Sequence, residues 1–453
     1  VQRTGRSQPG AIGAVASRAA TSRAEPAGRE QADGPYRVGQ DVEVTIEDAA
    51  QGGWCVARPE GLPVIFVRHA LPGESVVARV TEVTSKFARA DAVEIRQASA
   101  DRVDAPCEYA HPGGCGGCDW QHASLPAQRA LKAAVITQQL RRLAGIDREV
   151  TVEPLPDPVS GEPGLGWRTR VQFAVDREGV AGLHGHRSHE VIDIGDCLIA
   201  HRDVRDLDVP GDDWGGATMV EVAVGGAPST ENFALTVVEG GEKQRIKGTS
   251  RRAGGRPRRT LVEGRAYLAE QAAGRLWQVS ADGFWQVHPA AAGALSAAVV
   301  EALAPRPGDT VLDLYCGAGL FAGAVAPLVG PDGSVTGVES EAAAVKNARQ
   351  NLSDCPWATF VKADVAQAAG AGDLPPARLV IADPPRAGLA REAVAYLTAE
   401  GPAERFAYVS CDPATLARDL ALLIGGGWTL ENVRAFDAFP MTHHVECVAT
   451  LTR

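Results

Sequence analysis

Hydrophobic and polar positions divide this chain into three differently patterned stretches. From Tyr36 to about Glu94, short runs carry the alternation or apolar content of strands: Asp41-Val42-Glu43-Val44-Thr45-Ile46, Val64-Ile65-Phe66-Val67 and Ser75-Val76-Val77-Ala78-Arg79-Val80. Turn signals at Gly52-Gly53, Gly61-Leu62-Pro63 and Leu71-Pro72-Gly73-Glu74 part them. So many short strands in so little chain predict a small barrel of the OB type, structural or nucleic-acid-binding.

The middle stretch is mixed. Apolar residues Leu131, Val135, Ile136, Leu140 and Leu143 recur on one helical face, which predicts a helix from Pro126 to Leu143. Trp167 to Val175 alternates as a strand with basic residues on its polar face. Gly182 to His186 and Glu190 to Ile194 complete the pattern of an antiparallel β domain. From Pro307 onward, apolar strands alternate with helical segments. Thr310 to Tyr315, Ser334 to Val338, Thr359 to Lys362, Leu379 to Ala382 and Phe406 to Val409 predict a parallel, doubly wound sheet. The expected fold class is therefore multi-domain. It comprises an arm (1–35), a small β-barrel (36–98), a central α+β domain (99–280) and a C-terminal Rossmann-like α/β domain (281–453).

Composition narrows the partners. The chain has 453 residues, 45% of them hydrophobic, and a formal net charge of −11. That charge argues against a non-specific nucleic-acid coat but leaves room for a local basic groove. One such candidate is the Gly-rich insertion at about 239–264, with Lys243, Arg245, Lys247, Arg251, Arg252, Arg256, Arg258 and Arg259. It reads either as a phosphate-contacting loop or as a solvated one. No apolar run is long enough to span a bilayer, and Val1 to Pro35 has no secretory apolar core. The expectations are a disordered N-terminal arm, a cytoplasmic location, no membrane partner and a monomer.

Three kinds of site stand out. Cys107, Cys115 and Cys118 follow a C-x7-C-x2-C spacing among glycines, and Cys197 is the downstream candidate for a fourth ligand. Four thiolates suit zinc or an iron–sulfur cluster, and His111 and His122 keep a Cys3His zinc site open. A second site follows the first Rossmann-like strand, in Asp313-Leu314-Tyr315-Cys316-Gly317-Ala318-Gly319. Gly317 and Gly319 let the backbone approach a ligand, and Glu339, ending the next strand, can take ribose hydroxyls. The acidic Asp313 suits a cofactor with a cationic amino-acid end better than a dinucleotide, and Asp364 falls where an adenine would lie. The third is Cys411, between a strand and the helix opened by Pro413, where a helix N-terminus favours a thiolate. Asp383-Pro384-Pro385-Arg386 ends the preceding strand, as nucleic-acid methyltransferase strands often do. A cysteine beside a methyl donor suits methylation of pyrimidine C5, which needs a thiolate on C6 and a base for the C5 proton. Glu446 is the candidate base, with His443 and His444 as competitors.

Gly52-Gly53 followed by Val67 to Glu74 resembles the TRAM domain, an RNA-binding barrel. Asp282 to Pro289, Asp313 to Phe321, Ala382 to Gly388, Val409 to Asp419 and Phe436 to Glu446 together resemble the RNA 5-methyluridine methyltransferases. The resemblance runs from about Tyr36 to the C-terminus. It implies a class I methyltransferase domain, Cys411 as nucleophile and Glu446 as base. It implies S-adenosylmethionine held by Gln286, Tyr315, Gly317, Gly319, Glu339, Asp364 and Asp383. In the branch combining the barrel with four cysteines, Cys107, Cys115, Cys118 and Cys197 match the ligands of a 4Fe–4S cluster. That branch implies large-subunit (23S) ribosomal RNA as substrate, with transfer RNA the alternative. The C-x7-C spacing, Leu320, His288 and Asp412 depart from the family pattern. Two other readings compete: a methyltransferase acting on an exocyclic nitrogen, which leaves Cys411 idle, and a non-catalytic RNA-binding or iron–sulfur sensor protein.

Overall fold

A computed structural model describes residues 35–158, 162–229, 231–240, 244–245, 252–253, 257–399 and 401–453. The expected disordered arm, apart from Pro35, lies outside the described residues, as do Lys243, Lys247, Arg251 and Arg256 of the basic insertion.

Six strands build the N-terminal body: β1 (Asp41–Thr45), β2 (Asp48–Ala50), β3 (Trp54–Ala57), β4 (Val64–Arg68), β5 (Ser75–Val83) and β6 (Phe87–Gln97). Their order is β1-β5-β6-β4-β3-β2. The two ends of that ladder are separated by Ile46 and Glu47 alone, so one bent strand serves both and the sheet curls on itself. Ile65, Val67, Val76, Ala78 and Val80 fill the interior, while Trp54, Val56, Val64 and Phe66 pack together on a second face.

Helix α1 (Leu125–Gln139) starts where expected, its Ser124 side chain accepting from Ala127 N. A π turn, Leu140–Ala144, follows it. Leu140 stays buried, but Leu143 is 48% exposed, because the wider turn rotates it off the apolar face. The short strand β7 (Val152–Pro154) comes next.

The central sheet uses β8 (Arg170–Val175), β9 (Ala181–His184), β10 (Val191–Asp193), β11 (Met219–Val224), β12 (Phe233–Glu239) and, past short pieces, Arg258–Gly264. A four-residue helix α2 (Arg202–Arg205) precedes β11. The two-residue strands β13 (Gln244–Arg245) and β14 (Arg252–Ala253) pair with each other, which makes Arg258–Gly264 β15. The antiparallel order is β10-β9-β8-β11-β12-β15. A hairpin, β16 (Tyr267–Ala272) with β17 (Arg275–Ser280), leads onward.

The C-terminal body alternates α3 (Ala291–Leu303), β18 (Thr310–Leu314), α4 (Leu320–Val329), β19 (Ser334–Glu339), α5 (Ala342–Asn351), β20 (Ala358–Lys362), α6 (Val365–Ala371), β21 (Leu379–Ala382), α7 (Arg391–Thr398), β22 (Arg405–Ser410), α8 (Pro413–Gly425), β23 (Thr429–Asp437) and β24 (Glu446–Thr452). The sheet order is β20-β19-β18-β21-β22-β24-β23-β7, and β24 runs antiparallel to both neighbours. Covered on both faces, β21 reads as a continuous apolar run.

A division at 280/281 is crossed repeatedly. β7 adds in parallel to β23 through Ala435 and Val152, and Ile136 and Leu140 share a core with Leu416 and Leu420. Trp277 of the hairpin packs on Gly323, where an added Cβ would lie 2.3 Å from the indole. An eight-stranded sheet needs both faces and an edge covered, and the central segment supplies part of that cover. No helix among the described residues is long and apolar enough to cross a membrane.

Candidate active site

Strand order reverses around β18, which has β19 on one side and β21 on the other. The crevice at the carboxyl ends of these strands is where such sheets bind ligands. Leu314 pairs with both Val338 and Ala382, so Tyr315, Glu339 and Asp383 emerge together at that edge. Tyr315 has φ 62°, a left-handed conformation that a tyrosine seldom adopts, followed by Gly317 at 54° and Gly319 at 91°. The Glu339 carboxylate is tethered: Oε2 accepts from Gly317 N at 3.1 Å and Oε1 from Glu341 N at 2.8 Å.

Asp313 lies on β18, two residues before Tyr315. It is fully buried, and its Oδ2 accepts from Ala322 N at 2.9 Å. Gly319 stands at the N-cap of α4 without a side chain, so Asp313 caps that helix from the neighbouring strand. Burial pushes its carboxyl up to about 8, and Oδ1 is buried without a protein partner. Asp364 caps α6 through Gln367 N at 2.9 Å, and Gln286 is buried beside Val287, whose carbonyl accepts from both Thr169 N and Oγ1.

The second half of the site comes from β22 and β24. Their antiparallel ladder pairs Ser410 with Cys447, so the flanking residues Cys411 and Glu446 fall opposite each other at its end. Burial, with Glu446 and Asp383 adding and Arg386 opposing, pushes the Cys411 thiol up to about 12. Burial and the nearby Asp383 raise the Glu446 carboxyl well above its ordinary range, again against Arg386. Burial also lifts Asp383, to about 7. Two carboxyls and a thiol in one partly dry pocket disfavour charge on all three.

A buried carboxylate locks the two motif loops together. Asp419 Oδ2 accepts from Leu389 N at 2.8 Å and the Tyr408 hydroxyl at 2.7 Å, and Oδ1 accepts from Arg418 Nε at 2.8 Å. Gly388, at φ 82°, lies where a Cβ would come within 2.2 Å of Thr415. The signal for Asp419 was present: a carboxylate inside the apolar stripe Leu416, Leu420 and Leu423.

The loop before Glu446 is held from outside its own domain. Asp119 N and Trp120 N both donate to Met441 O at 3.0 Å, and Met441 N donates to Gln128 Oε1 at 2.8 Å. Asp119 Oδ2 meets His443 Nδ1 at 2.6 Å. His444 accepts from Arg386 at 3.4 Å, and burial with His443 and Arg386 nearby lowers it to about 3. Nothing in the local sequence announced these long-range partners.

Cys107, Cys115, Cys118 and Cys197 line one cavity with Tyr109, Gln121 and Arg168. Gly116 packs so closely on His186 that a Cβ would lie 2.6 Å from its backbone. Among the described residues, no three Cys, His, Asp or Glu side chains converge on one metal-ion position. The basic face expected on the strand at Arg168 and Arg170 is largely internal. Arg170 is pinned to Ala281 O and Gly283 O at 2.9 and 3.2 Å and lies 3.6 Å from Glu270. In the basic insertion, Arg259 pairs with Glu221 at 3.0 Å and Arg258 with Glu239 at 4.0 Å.

Comparison with known proteins gives three family matches: tRNA (Uracil-5-)-methyltransferase over residues 376–453, TRAM domain over 35–93, and Methyltransferase domain over 305–370. The chain is 47% identical over 431 residues to an uncharacterized RNA methyltransferase of Streptomyces avermitilis, covering 91% of this chain and 98% of that one. A Streptomyces coelicolor protein described in the same words is 46% identical over 430 residues, covering 91% and 93%. The crystal structure of Pyrococcus abyssi tRNA (uracil-54, C5)-methyltransferase with S-adenosyl-L-homocysteine has the same fold, with TM-score 0.65 and 23% identity. It covers 91% of this chain and all of that one.

Proposed function

The chain belongs to the RNA uracil-5-methyltransferase family, in a form carrying an N-terminal TRAM domain, and we propose that it methylates C5 of one uridine in structured RNA through a covalent bond from Cys411. The register that sets Cys411 opposite Glu446, at the edge shared with Tyr315, Glu339 and Asp383, carries this reading.

C5 of uracil is a poor nucleophile until a thiolate adds to C6. In this proposal Cys411 loses its proton, attacks C6 and pushes electrons into a C5 enolate. The N-terminus of α8 and the Arg386 guanidinium favour the thiolate, against the carboxyls that oppose it. S-adenosylmethionine, when bound, supplies an electrophilic methyl carbon. Once C5 carries the methyl, Glu446 takes the C5 proton and the C5–H electrons restore the C5–C6 double bond. The Cys411–C6 bond breaks with its electrons leaving on the Cys411 sulfur as thiolate. The net change is one methyl replacing one proton. A carboxylate whose protonated form is favoured by burial is a stronger base, which suits Glu446 to that step. His444, held neutral and engaged by Arg386, is a weaker candidate.

The residues that would hold the methyl donor are Gln286, Tyr315, Gly317, Gly319, Glu339, Asp364 and Asp383. They fit it: a Cβ at Gly317 would meet open space, and Glu339 is pre-aimed beside it. Asp364 would work with its second oxygen, since the first caps α6.

Cys107, Cys115, Cys118 and Cys197 would hold a 4Fe–4S cluster. They share one cavity without converging on a single point. A lone zinc requires four donors about 2.3 Å from one centre, whereas a cluster takes each thiolate on a different iron. Its contribution would be to tie the 107–118 loop to Cys197. The co-occurrence of barrel and four cysteines favours large-subunit ribosomal RNA over transfer RNA as substrate, with the enzyme acting as a monomer.

The test uses purified protein, labelled methyl donor and both RNA classes. Wild type should yield 5-methyluridine, and Cys411→Ala none. 5-Fluorouridine RNA should trap wild type covalently, since fluorine cannot leave as a proton. Retained C5 methylation by Cys411→Ala would sink the mechanism, and a methyl found on a base nitrogen would replace it.

A further inference from the structure

We infer that the barrel turn Gln51-Gly52-Gly53 is a positioning element of the active site, with Gln51 fixing the helix turn that carries Cys411; this rests on the reading of Cys411 given above. Gln51 Nε2 donates to Asp412 Oδ2 at 2.9 Å, joining residues 361 positions apart. Oδ1 of the same carboxylate accepts from Thr415 N at 2.8 Å and caps α8. A carboxylate turns easily about its last torsion. Bonds on both oxygens hold it in one plane, one residue after the nucleophile.

The turn touches the other catalytic segment as well. Gly52 and Gly53 are both left-handed, at φ 86° and 80°, and a Cβ on Gly53 would lie 2.6 Å from the Asp119 carboxyl. Asp119 in turn holds His443 at 2.6 Å, in the loop that leads into Glu446. One barrel turn is thus wedged between the nucleophile helix and the support of the base loop. The barrel then does more than dock RNA: it completes the catalytic frame.

The chemistry of the pair fixes its direction. Asp412 only accepts, so the Gln51 amide must present its NH2 group, and Gln51 Oε1 is left buried without a partner. Asp412 is also one of the positions that departs from the family pattern. An asparagine there would let the amide reverse; the aspartate does not.

A donor–acceptor exchange tests this in the full chain. Gln51→Glu sets carboxylate against carboxylate and should lower kcat roughly tenfold or more, about 1.4 kcal/mol. KM for RNA should stay within about twofold. Adding Asp412→Asn restores the bond in reverse, because the new amide can donate to the introduced carboxylate while its oxygen still caps Thr415. That double variant should recover kcat to within about threefold of wild type. An unchanged kcat, a rise in KM alone, or no recovery in the double variant overturns the inference. Wild type on 5-fluorouridine RNA separates the two readings. If wild type forms no adduct through Cys411, both fall; if it does and the variants match it in kcat, only this one falls.

Discussion

Lys132 offers the sharpest test of how the central segment supports the loop that leads into Glu446. Its Nζ is fully buried and donates to Asp437 Oδ1 at 2.6 Å and to Phe439 O at 3.0 Å. Asp437 is 1% exposed and ends β23, just before the loop that carries His443 and leads into Glu446. Lys132→Met keeps most of the stem's volume and removes the charge. Phe439 O would not be orphaned, because Thr442 N and Oγ1 donate to it at 3.2 and 2.8 Å. The cost therefore falls on Asp437, a buried carboxylate stripped of its cation, and such losses run to about 3–5 kcal/mol. Denaturant unfolding at pH 7 should show that deficit. Replacing both partners, Lys132→Met with Asp437→Leu, should recover most of the stability, since paired apolar substitutes avoid the desolvation of both ions. A single variant within about 1 kcal/mol of wild type, or a double variant no better than the single, would refute the reasoning.

Glu446→Gln should still form the Cys411–RNA bond but release it slowly, so that adduct accumulates with ordinary uridine RNA; free turnover at the wild-type rate would exclude Glu446 as the base. Asp313 makes stability depend on pH in a defined direction. Its folded pKa is raised to about 8 from 3.8, so its contribution is complete below the unfolded value and is lost as pH rises through 8. Between those values the folded state holds one more proton than the unfolded state, and wild-type stability should fall by about 1.4 kcal/mol per pH unit relative to Asp313→Asn. A difference between the two proteins that is flat from pH 5 to 8 would count against it. Anaerobically purified protein should show the broad visible absorption of an iron–sulfur centre; a colourless protein with stoichiometric zinc would reverse the assignment of the four cysteines.

Much of this protein was legible in the order of its residues. Period-two runs marked the barrel strands, and alternating strand and helix patterns marked the parallel sheet, because side-chain periodicity is a local property. The Gly317–Gly319 turn and the strand end at Asp383 were readable for the same reason: each is a short-range device within one βα unit. Leu143 was misjudged because a π turn is a local irregularity that an ideal helical period conceals. Asp313 read as a cofactor contact from its motif, and the fold gives it a further part, as the buried cap of α4 through one of its two oxygens.

Tertiary structure alone decided what holds the segments around Cys411 and Glu446 in place. The pairing of Ser410 with Cys447 reverses one strand within the sheet and sets Cys411 against Glu446; such a register depends on the whole sheet. Lys132, Asp119 and Gln51 lie some 300 or more residues from Asp437, His443 and Asp412, and periodicity says nothing at that range. Sequence by itself determined the elements and the chemically distinctive residues at their ends. Burial and long-range hydrogen bonding determined which of those residues meet, since a buried polar group must find its partner wherever the fold brings one.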